Sequence, residues 1–398
     1  MATFSVAFLG CKVSQTDAQG LRERLVADGH VESGGETDVA VVNTCCVTHE
    51  AVRKSRQVAR RAARRAGRVY VTGCGANLPG DAFGDLPDNI TVVRLPSERT
   101  SAWVAGDVGA IGCVRADVGL ARVRAFVKVQ DGCSFGCAFC VIPQVRGASR
   151  SRPAAAVLAE IRRRVGQGHR EVVLTGINLG CYRDREAGIH LPELVRAAGE
   201  TPGLARLRLS SLEVNHLSEE LLAAMRETPA VSPHLHVPLQ SGDDRVLGAM
   251  RRRYSAATYL RRTAKAEGMN LTTDVIVGFP GEDEAAFANT LRVVEEAGIT
   301  KVHAFPYSPR PGTRTAAEDT VPPAVKKERS ARLRAASADA CRRRWAEKLG
   351  GEDVVLVDRP GRGYGDDYTP WLVEGPVGEM IRVRGRAVRE EGIVGVAA

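Results

Sequence analysis

The chain is expected to be α/β, with an open doubly wound parallel sheet at the N-terminus, a partial (βα)6 barrel in the centre and a small all-β module at the end. Three observations predict this. Short β-branched runs alternate with helix-period segments through residues 1–110. The alternation resumes over residues 120–349, with six further strand candidates. Residues 350–398 carry only short strand-like runs separated by glycine. Strands that alternate with helices pair in parallel through right-handed crossovers.

Composition sets the class. Of 398 residues, 44% are apolar and 26% charged, which excludes wholesale disorder. Fifty-six Lys and Arg against forty-seven Asp and Glu leave a net charge of +9, which suits a polyanionic partner. No apolar run reaches the ~18 residues needed to span a bilayer. The opening Met-Ala-Thr-Phe-Ser-Val-Ala-Phe-Leu lacks the positive start and longer apolar core of a signal peptide, and reads as a first strand. A cytoplasmic protein with no membrane partner is expected. Disulfides are disfavoured in that compartment, so ten cysteines call for another chemistry.

The N-terminal elements follow in order. Ser5 to Leu9 is a strand, and Leu21 and Leu25, stopped by Gly29, mark a helix. Val39 to Val42, Val69 to Thr72 and Ile90 to Val93 are further strands. Between the second and third strands, Val52, Ser55, Ala59, Ala62, Ala63 and Ala66 recur at helical spacing. Cys11, Cys45 and Cys74 each follow a strand. In an open parallel sheet all carboxyl ends lie along one edge, so topology brings these three thiols together as a metal or cluster site. Cys46, next to Cys45, is expected to point the other way along an extended backbone and is left out. From Ala51 to Arg68 the helix carries eight basic residues and no acidic one, including Arg53, Lys54, Arg56 and Arg60. Such a face repels itself, and a phosphate backbone would relieve it.

The run Ala125 to Val129 leads into Asp131-Gly-Cys-Ser-Phe-Gly-Cys-Ala-Phe-Cys140. Cys133, Cys137 and Cys140 form Cys-x3-Cys-x2-Cys, which supplies three thiolates to a 4Fe–4S cube and leaves one iron open. Zinc competes, but no histidine or fourth cysteine follows at a finger-like distance. Val157, Leu158, Ile161 and Val165 give a helix face. Val172 to Leu174, Leu207 to Leu209, Leu235 to Val237, Val275 to Val277 and Val302 to Phe305 complete the barrel strands. Polar or glycine residues sit at their carboxyl ends: Thr175-Gly176-Ile177-Asn178, Ser210-Ser211, Gln240-Ser241-Gly242 and Gly278-Phe279-Pro280-Gly281. That is where a parallel barrel places its site. Thr175, Gly176, Asn178, Ser210 and Gln240 are the cofactor-contact candidates, with Arg251 to Arg253 adding positive charge near the rim. Cys113, Cys181 and Cys341 show no informative spacing and read as incidental.

Val321-Pro-Pro323 introduces a helix to about Leu349 in which nine basic residues oppose three acidic ones. Val354 to Val357, Trp371 to Val373, Met380 to Val383 and Ile393 to Val396 then read as strands of a module too small for an independent core, so it should pack on the barrel. Tyr364, Tyr368 and Trp371 could stack on unpaired bases, but aromatics at strand edges more often pack, and packing is the expectation.

At these motifs the chain resembles the radical S-adenosylmethionine methylthiotransferases over nearly its whole length. The resemblance rests on Gly10-Cys-Lys-Val-Ser, Asn43-Thr-Cys, Thr72-Gly-Cys, the Cys133 motif with Ile142-Pro and Arg146-Gly147, and Leu174-Thr-Gly-Ile-Asn178. It continues through Arg208-Leu-Ser-Ser-Leu-Glu213, His236-Val-Pro-Leu-Gln-Ser-Gly242 and Asp274-Val-Ile-Val-Gly-Phe-Pro-Gly-Glu282. Asn43-Thr-Cys-Cys-Val-Thr with Arg53-Lys-Ser-Arg-Gln57 is similar to the branch that acts on threonylcarbamoyladenosine beside the tRNA anticodon. Sister branches act on isopentenyladenosine in tRNA or on a ribosomal-protein aspartate. Ser14, Cys46 and the loop Leu95-Pro-Ser-Glu-Arg depart from the branch pattern.

The resemblance implies a radical-SAM barrel, a C-terminal RNA-binding TRAM module and two 4Fe–4S clusters. One cluster, on Cys133, Cys137 and Cys140, would chelate S-adenosylmethionine and cleave it reductively to a 5′-deoxyadenosyl radical that takes the C2 hydrogen of the modified adenine. The auxiliary cluster, on Cys11, Cys45 and Cys74, would carry the sulfur. It further implies a tRNA anticodon stem-loop as substrate, a one-electron reductant such as flavodoxin or ferredoxin, a sulfide source and a monomeric enzyme. The reading from another class is a non-catalytic iron–sulfur protein that binds RNA.

Overall fold

The structure, a computed structural model, describes residues 2–94 and 123–398. The loop 95–99, the stretch 106–120 and Cys113 lie outside the described residues. The chain divides into two compact units, one formed by the N-terminal region with residues 131–149 and 308–318, the other by the remainder.

In the first unit β1 (Thr3–Phe8), β2 (Val31–Glu32), β3 (Thr37–Thr44), β4 (Ala66–Gly73) and β5 (Ile90–Val92) form a five-stranded sheet in the order β2-β1-β3-β4-β5. Every pairing is parallel. The order in which strands are added reverses between β1 and β3, the switch point at which open α/β sheets bind ligands. Helix α1 (Lys12–Ala27) places Leu21 and Leu25 on one face of the sheet against Phe4, Val41 and Tyr70. Helix α2 (His49–Ala63) packs Val52, Ala59 and Ala62 on the other face. The expected helix therefore stops three residues before Ala66, which opens β4 and carries Arg68 with it. Alanine tolerates either state, and pairing with Thr37 on β3 decides it. A short helix, α3 (Ile142–Arg146), follows the Cys133 motif in the same unit.

In the second unit β6 (Arg124–Lys128), β7 (Glu171–Thr175) and β8 (Arg206–Leu209) form one parallel set, and β9 (His234–His236), β10 (Asn270–Val277) and β11 (Ile299–Pro306) another. A parallel bridge from Ser211 to His236 joins them into a six-stranded open barrel. Helices α4 (Ala154–Gly166), α5 (Leu191–Gly199), α6 (Glu219–Glu227), α7 (Asp244–Ala249), α8 (Ala256–Thr263) and α9 (Glu284–Glu296) cover its convex side. Helix α10 (Pro323–Ala346) runs along β11, where Ser337 Oγ accepts the Val302 N–H at 2.9 Å and Cys341 Sγ donates to Thr300 O at 2.8 Å. Cys341 is thus a structural donor, as its lack of motif suggests.

The C-terminal module is a closed barrel of β12 (Glu352–Arg359), β13 (Arg362–Tyr364), β14 (Pro370–Leu372), β15 (Met380–Arg389) and β16 (Gly392–Ala397). It has a small core of its own, built on Val355, Val357, Trp371, Val373, Val383 and Ile393, and also docks on the amino-terminal end of the six-stranded barrel. Glu171, fully buried, lies 2.7 Å from Arg124, 2.9 Å from Arg208 and 3.3 Å from Arg206. The spare donors of those arginines take the module's backbone: Arg206 bonds Val354 O and Tyr364 O, and Arg208 bonds Gly365 O and Asp366 O. Tyr368 stacks on Tyr364 at 4.9 Å and lies under the Arg208 guanidinium at 4.8 Å. Trp371 is fully buried in the module's own core. These three aromatics are packing groups, the reading their strand-edge places favour.

Burial opposes ionisation of Glu171, but Arg208, Arg124 and Arg206 outweigh it and hold its pKa below the ordinary glutamate value. A lowered carboxylate pKa stabilises the fold at neutral pH, and that contribution is lost as pH falls through the lowered value. Glu171→Gln should leave three buried guanidiniums without a counter-charge and cost about 3–5 kcal/mol in urea unfolding at pH 7. The deficit should shrink as the comparison is moved to acid pH.

Candidate active site

The first unit gathers the cysteines. Cys11, Cys45 and Cys74 each stand within three residues of the end of β1, β3 and β4. A Cβ built on Gly10 would lie 3.3 Å from Cys45 Sγ, which measures how closely the first two loops approach. The Cys45 thiol is pushed up by burial and by the neighbouring charges of Cys74 and Cys11, so the three sulfurs share one electrostatic environment. Ser55 Oγ, on the second turn of α2, accepts the Cys45 N–H at 3.3 Å and fixes that loop to the helix. Gly73 is obligatory here: its φ is +89°, and a Cβ would fall 1.9 Å from Asn43 Oδ1.

The Cys133, Cys137 and Cys140 loop belongs to the same unit. The Cys133 N–H donates to Gly147 O at 3.0 Å, and Cys140 N–H to Cys137 O at 3.2 Å. A Cβ on Gly132, whose φ is +69°, would lie 2.1 Å from Ala148 O, so only glycine lets the loop close on the segment after α3. Thr315 Oγ1 donates to Ala138 O, and Gln144 Nε2 to Gly312 O, which ties residues 308–318 to the loop.

Arg146, at the end of α3, reaches a thiol of the first group and the aspartate two residues before the second. Its Nε donates to Cys74 Sγ at 3.0 Å, Nη1 to Asp131 at 3.0 Å and Nη2 to Asp17 at 2.9 Å. All three partners are buried or nearly so, and burial alone would disfavour the guanidinium charge. Cys74, Asp17, Asp131 and Cys11 reverse that and raise its pKa above the ordinary arginine value. Cys74 is drawn down to about 7, first by a hydrogen bond from the Cys46 thiol and then, against burial, by Arg146.

Cys46 therefore points inward, contrary to the extended-backbone expectation. It is fully buried with Cys74, Leu78, Val141 and Val145, and the charges of Cys74, Cys45 and Cys140 all bear on it. The strand ends at Thr44, so the alternation of faces no longer governs the next two residues. Asp17 carried no signal in the sequence, Cys46 was set aside, and Asp131 and Arg146 entered only as parts of motifs. Asp131, two residues before Cys133, was the one that proximity could have flagged.

The basic face of α2 is partly neutralised. Arg53 and Lys54 pair with Glu50, at 2.6 Å and 3.6 Å, and Arg56 and Arg60 converge on Asp85, at 3.1 Å and 2.9 Å. Glu50 and Asp85 lie outside the all-basic stretch, so the count within the helix overstated the repulsion. Arg53, Arg56, Arg60 and Arg310 still line an open cavity of about 450 Å³ in this unit.

In the second unit the cofactor-contact candidates sit at the carboxyl edge of the barrel. Thr175 ends β7, a Cβ on Gly176 would meet Gln130 Oε1 at 2.9 Å, and the Asn178 N–H donates to that oxygen at 2.8 Å. Ser210 Oγ and Asn178 Oδ1 are buried without a hydrogen-bond partner, an arrangement that suits a polar ligand. Gln240 is held at φ +64°, a strained conformation for a residue with a side chain, between backbone bonds to Asp274 O and from the Ile276 N–H. Exposed Arg251 adopts φ +59° after α7.

Comparison with known proteins fits this layout. Residues 127–294 match the radical SAM superfamily, and residues 3–94 match a family described as uncharacterized protein family UPF0004. A threonylcarbamoyladenosine tRNA methylthiotransferase, MtaB, of Chlamydia pneumoniae is 34% identical across 99% of this chain and 97% of its own length. The chain belongs to the radical S-adenosylmethionine methylthiotransferase family. The MtaB of Thermotoga maritima is 33% identical across 100% of the chain and 98% of its own length. A tRNA-2-methylthio-N(6)-dimethylallyladenosine synthase of Sorangium cellulosum is 36% identical over 90% of the chain and 82% of its own. The radical S-adenosylmethionine methyltransferase TsrM of Kitasatospora setae, solved with tryptophan and a SAM analogue, superposes with a TM-score of 0.60. At 14% identity, over 79% of this chain and 75% of that one, it shows the fold. S-adenosylmethionine and 4Fe–4S are the family's cofactors, and the thiols of the first unit are the donor set such a cluster needs. Among the described residues no helix is long and apolar enough to cross a membrane.

Arg146→Met should strand the buried carboxylates of Asp17 and Asp131 and destabilise the fold by about 3–5 kcal/mol in chemical denaturation. Arg146→Lys should recover only part of that, since an ammonium cannot span three acceptors with a planar fork.

Proposed function

We propose that this enzyme methylthiolates C2 of the adenine of N6-threonylcarbamoyladenosine at position 37 of tRNA. The observation that carries the reading is that one compact unit holds both groups of three thiols, with buried Arg146 bonded to Cys74 of one group and to Asp131, two residues before Cys133 of the other. Cys133, Cys137 and Cys140 would hold the 4Fe–4S cluster that binds S-adenosylmethionine, and Cys11, Cys45 and Cys74 an auxiliary one. When bound, these groups supply reductive sulfonium cleavage and a sulfur carrier, chemistry no side chain offers to an unactivated aryl C–H.

The chain's own residues shape the surroundings. Arg146 keeps a positive charge beside Cys74 and favours its thiolate form. Ser210, Asn178, Thr175, Gly176 and Gln240 would orient S-adenosylmethionine at the carboxyl edge of the barrel, where Ser210 Oγ and Asn178 Oδ1 are buried without a hydrogen-bond partner. Arg53, Lys54, Arg56, Arg60 and Arg251 would meet the phosphates of the anticodon stem-loop, the first four exchanging Glu50 and Asp85 for RNA. A monomer in the cytoplasm, served by a flavodoxin or ferredoxin and a sulfide source, completes the proposal. The threonylcarbamoyl substrate is supported by the MtaB relatives, which align over essentially the whole chain. The dimethylallyladenosine synthase of Sorangium cellulosum supports the second reading, the same chemistry on isopentenyladenosine.

Anaerobic reconstitution should give near eight irons per chain, and Cys137→Ala should lose half of them together with 5′-deoxyadenosine formation. Cys45→Ala should also lose half of the iron yet retain most deoxyadenosine formation and deliver no sulfur to RNA. Methylthiolation by the Cys45 variant would refute the auxiliary role. Mass spectrometry of nucleosides from tRNA treated with the enzyme should show 2-methylthio-N6-threonylcarbamoyladenosine. The methylthio-isopentenyl nucleoside in its place would select the second reading.

A further inference from the structure

Three side chains on the concave face of the second unit converge without a part in the reaction above. His236 ends β9, Asp274 lies within β10 and His303 within β11, three neighbouring parallel strands. Register explains the convergence. Asp274 stands directly opposite His303, and His236 opposite Thr272, one pleat before Asp274 on the same face. One ligand atom from each of the three lies within 4.8 Å of the others. His236 Nε2 is 3.2 Å from Asp274 Oδ2. Two ligand atoms held at right angles on one metal by bonds of ~2.1 Å are about 3 Å apart, so this pair already has ligand spacing. The outer support is present too. His236 Nδ1 is 2.9 Å from the Thr272 hydroxyl, a bond that fixes the ring and turns Nε2 toward Asp274.

We infer that His236, Asp274 and His303 bind a divalent transition-metal cation, with Thr272 as the positioning residue. Two imidazoles and one carboxylate are a donor set of intermediate hardness, suited to Fe²⁺, Mn²⁺, Co²⁺ or Zn²⁺ rather than to Mg²⁺ or Ca²⁺, which favour oxygen alone. Three protein ligands leave coordination positions open, and His303 is exposed, so an oxygen donor such as a carboxylate or phosphate group can complete the sphere. Lys301, one pleat from His303 on the same strand, would favour an anionic fourth ligand over a bare cation.

Mn²⁺ is the probe, because it prefers oxygen and imidazole to the thiolates of the first unit. Titrated into the reconstituted enzyme with its clusters oxidised, and followed by loss of the free-ion EPR signal, it should saturate at one ion per chain. Asp274→Asn and His303→Ala should each weaken binding tenfold or more, and Thr272→Val roughly tenfold. Cys137→Ala should bind as the parent does. Asparagine keeps the shape of Asp274 and His303 is exposed, so folded variants are expected, checked by circular dichroism. Absence of saturable uptake, uptake lost in Cys137→Ala, or parent-like binding in both Asp274→Asn and His303→Ala would overturn the assignment.

Discussion

A parallel sheet has one carboxyl edge, and every strand added in the same direction delivers its next loop to that edge. In the first unit this constraint governs the rest. With β1, β3 and β4 adjacent, three loops far apart in sequence emerge side by side, and each brings a cysteine within its first three residues. The backbone must turn sharply there without intruding on its neighbour. That is why Gly73 sits where any side chain would strike Asn43, and why Gly10 passes Cys45 at contact distance. The thiols are a consequence of topology first and of local sequence second.

Bringing seven thiols, Cys46 among them, into the described part of one unit creates an electrostatic problem that topology does not solve. Each thiolate formed in a low-dielectric surround disfavours the next, as the upward push on Cys45 records. Arg146 answers it, since a guanidinium remains protonated even when buried and can face three acceptors at once. The second unit solves the inverse problem with the opposite sign. Arg124, Arg206 and Arg208 surround one carboxylate, Glu171, and Arg206 and Arg208 give further N–H groups to backbone carbonyls of the C-terminal module. In both places a buried ion is held by several partners rather than one. Such an arrangement adds little net stability over an apolar core, but removing its centre is severe.

The features legible in the sequence were those with a local signature. β-Branched runs located β1, β3, β4 and the barrel strands, and Cys11, Cys45 and Cys74 could be placed because a strand end plus a parallel-sheet rule fixes position without any knowledge of side-chain packing. The features missed depend on partners distant in the chain. Asp17 looks like any polar residue of an amphipathic helix until Arg146 reaches it, and Glu171 stood just outside a recognised strand. The end of α2 was misplaced because Ala62, Ala63 and Ala66 keep a helical rhythm that sheet pairing interrupts. Tyr364 and Tyr368 offered faces that could also serve RNA. The guanidiniums of Arg124 and Arg208 claim them first.

The three thiols at the sheet edge are not equivalent, and this follows from where the loops sit. Cys11 is exposed, with the Ser14 hydroxyl 3.8 Å from its sulfur. Cys45 is buried among like charges, and Cys74 is buried but receives Arg146 and the Cys46 thiol. Hydrogen bonds to ligand sulfur withdraw charge from the iron it holds, and solvent exposure acts on the same balance. A cluster bound to these three ligands would therefore be polarised toward Cys74 and open to solvent at Cys11. The asymmetry resides in Arg146 and Cys46, so a change there would alter the charge around Cys74 while leaving Cys11, Cys45 and Cys74 in place.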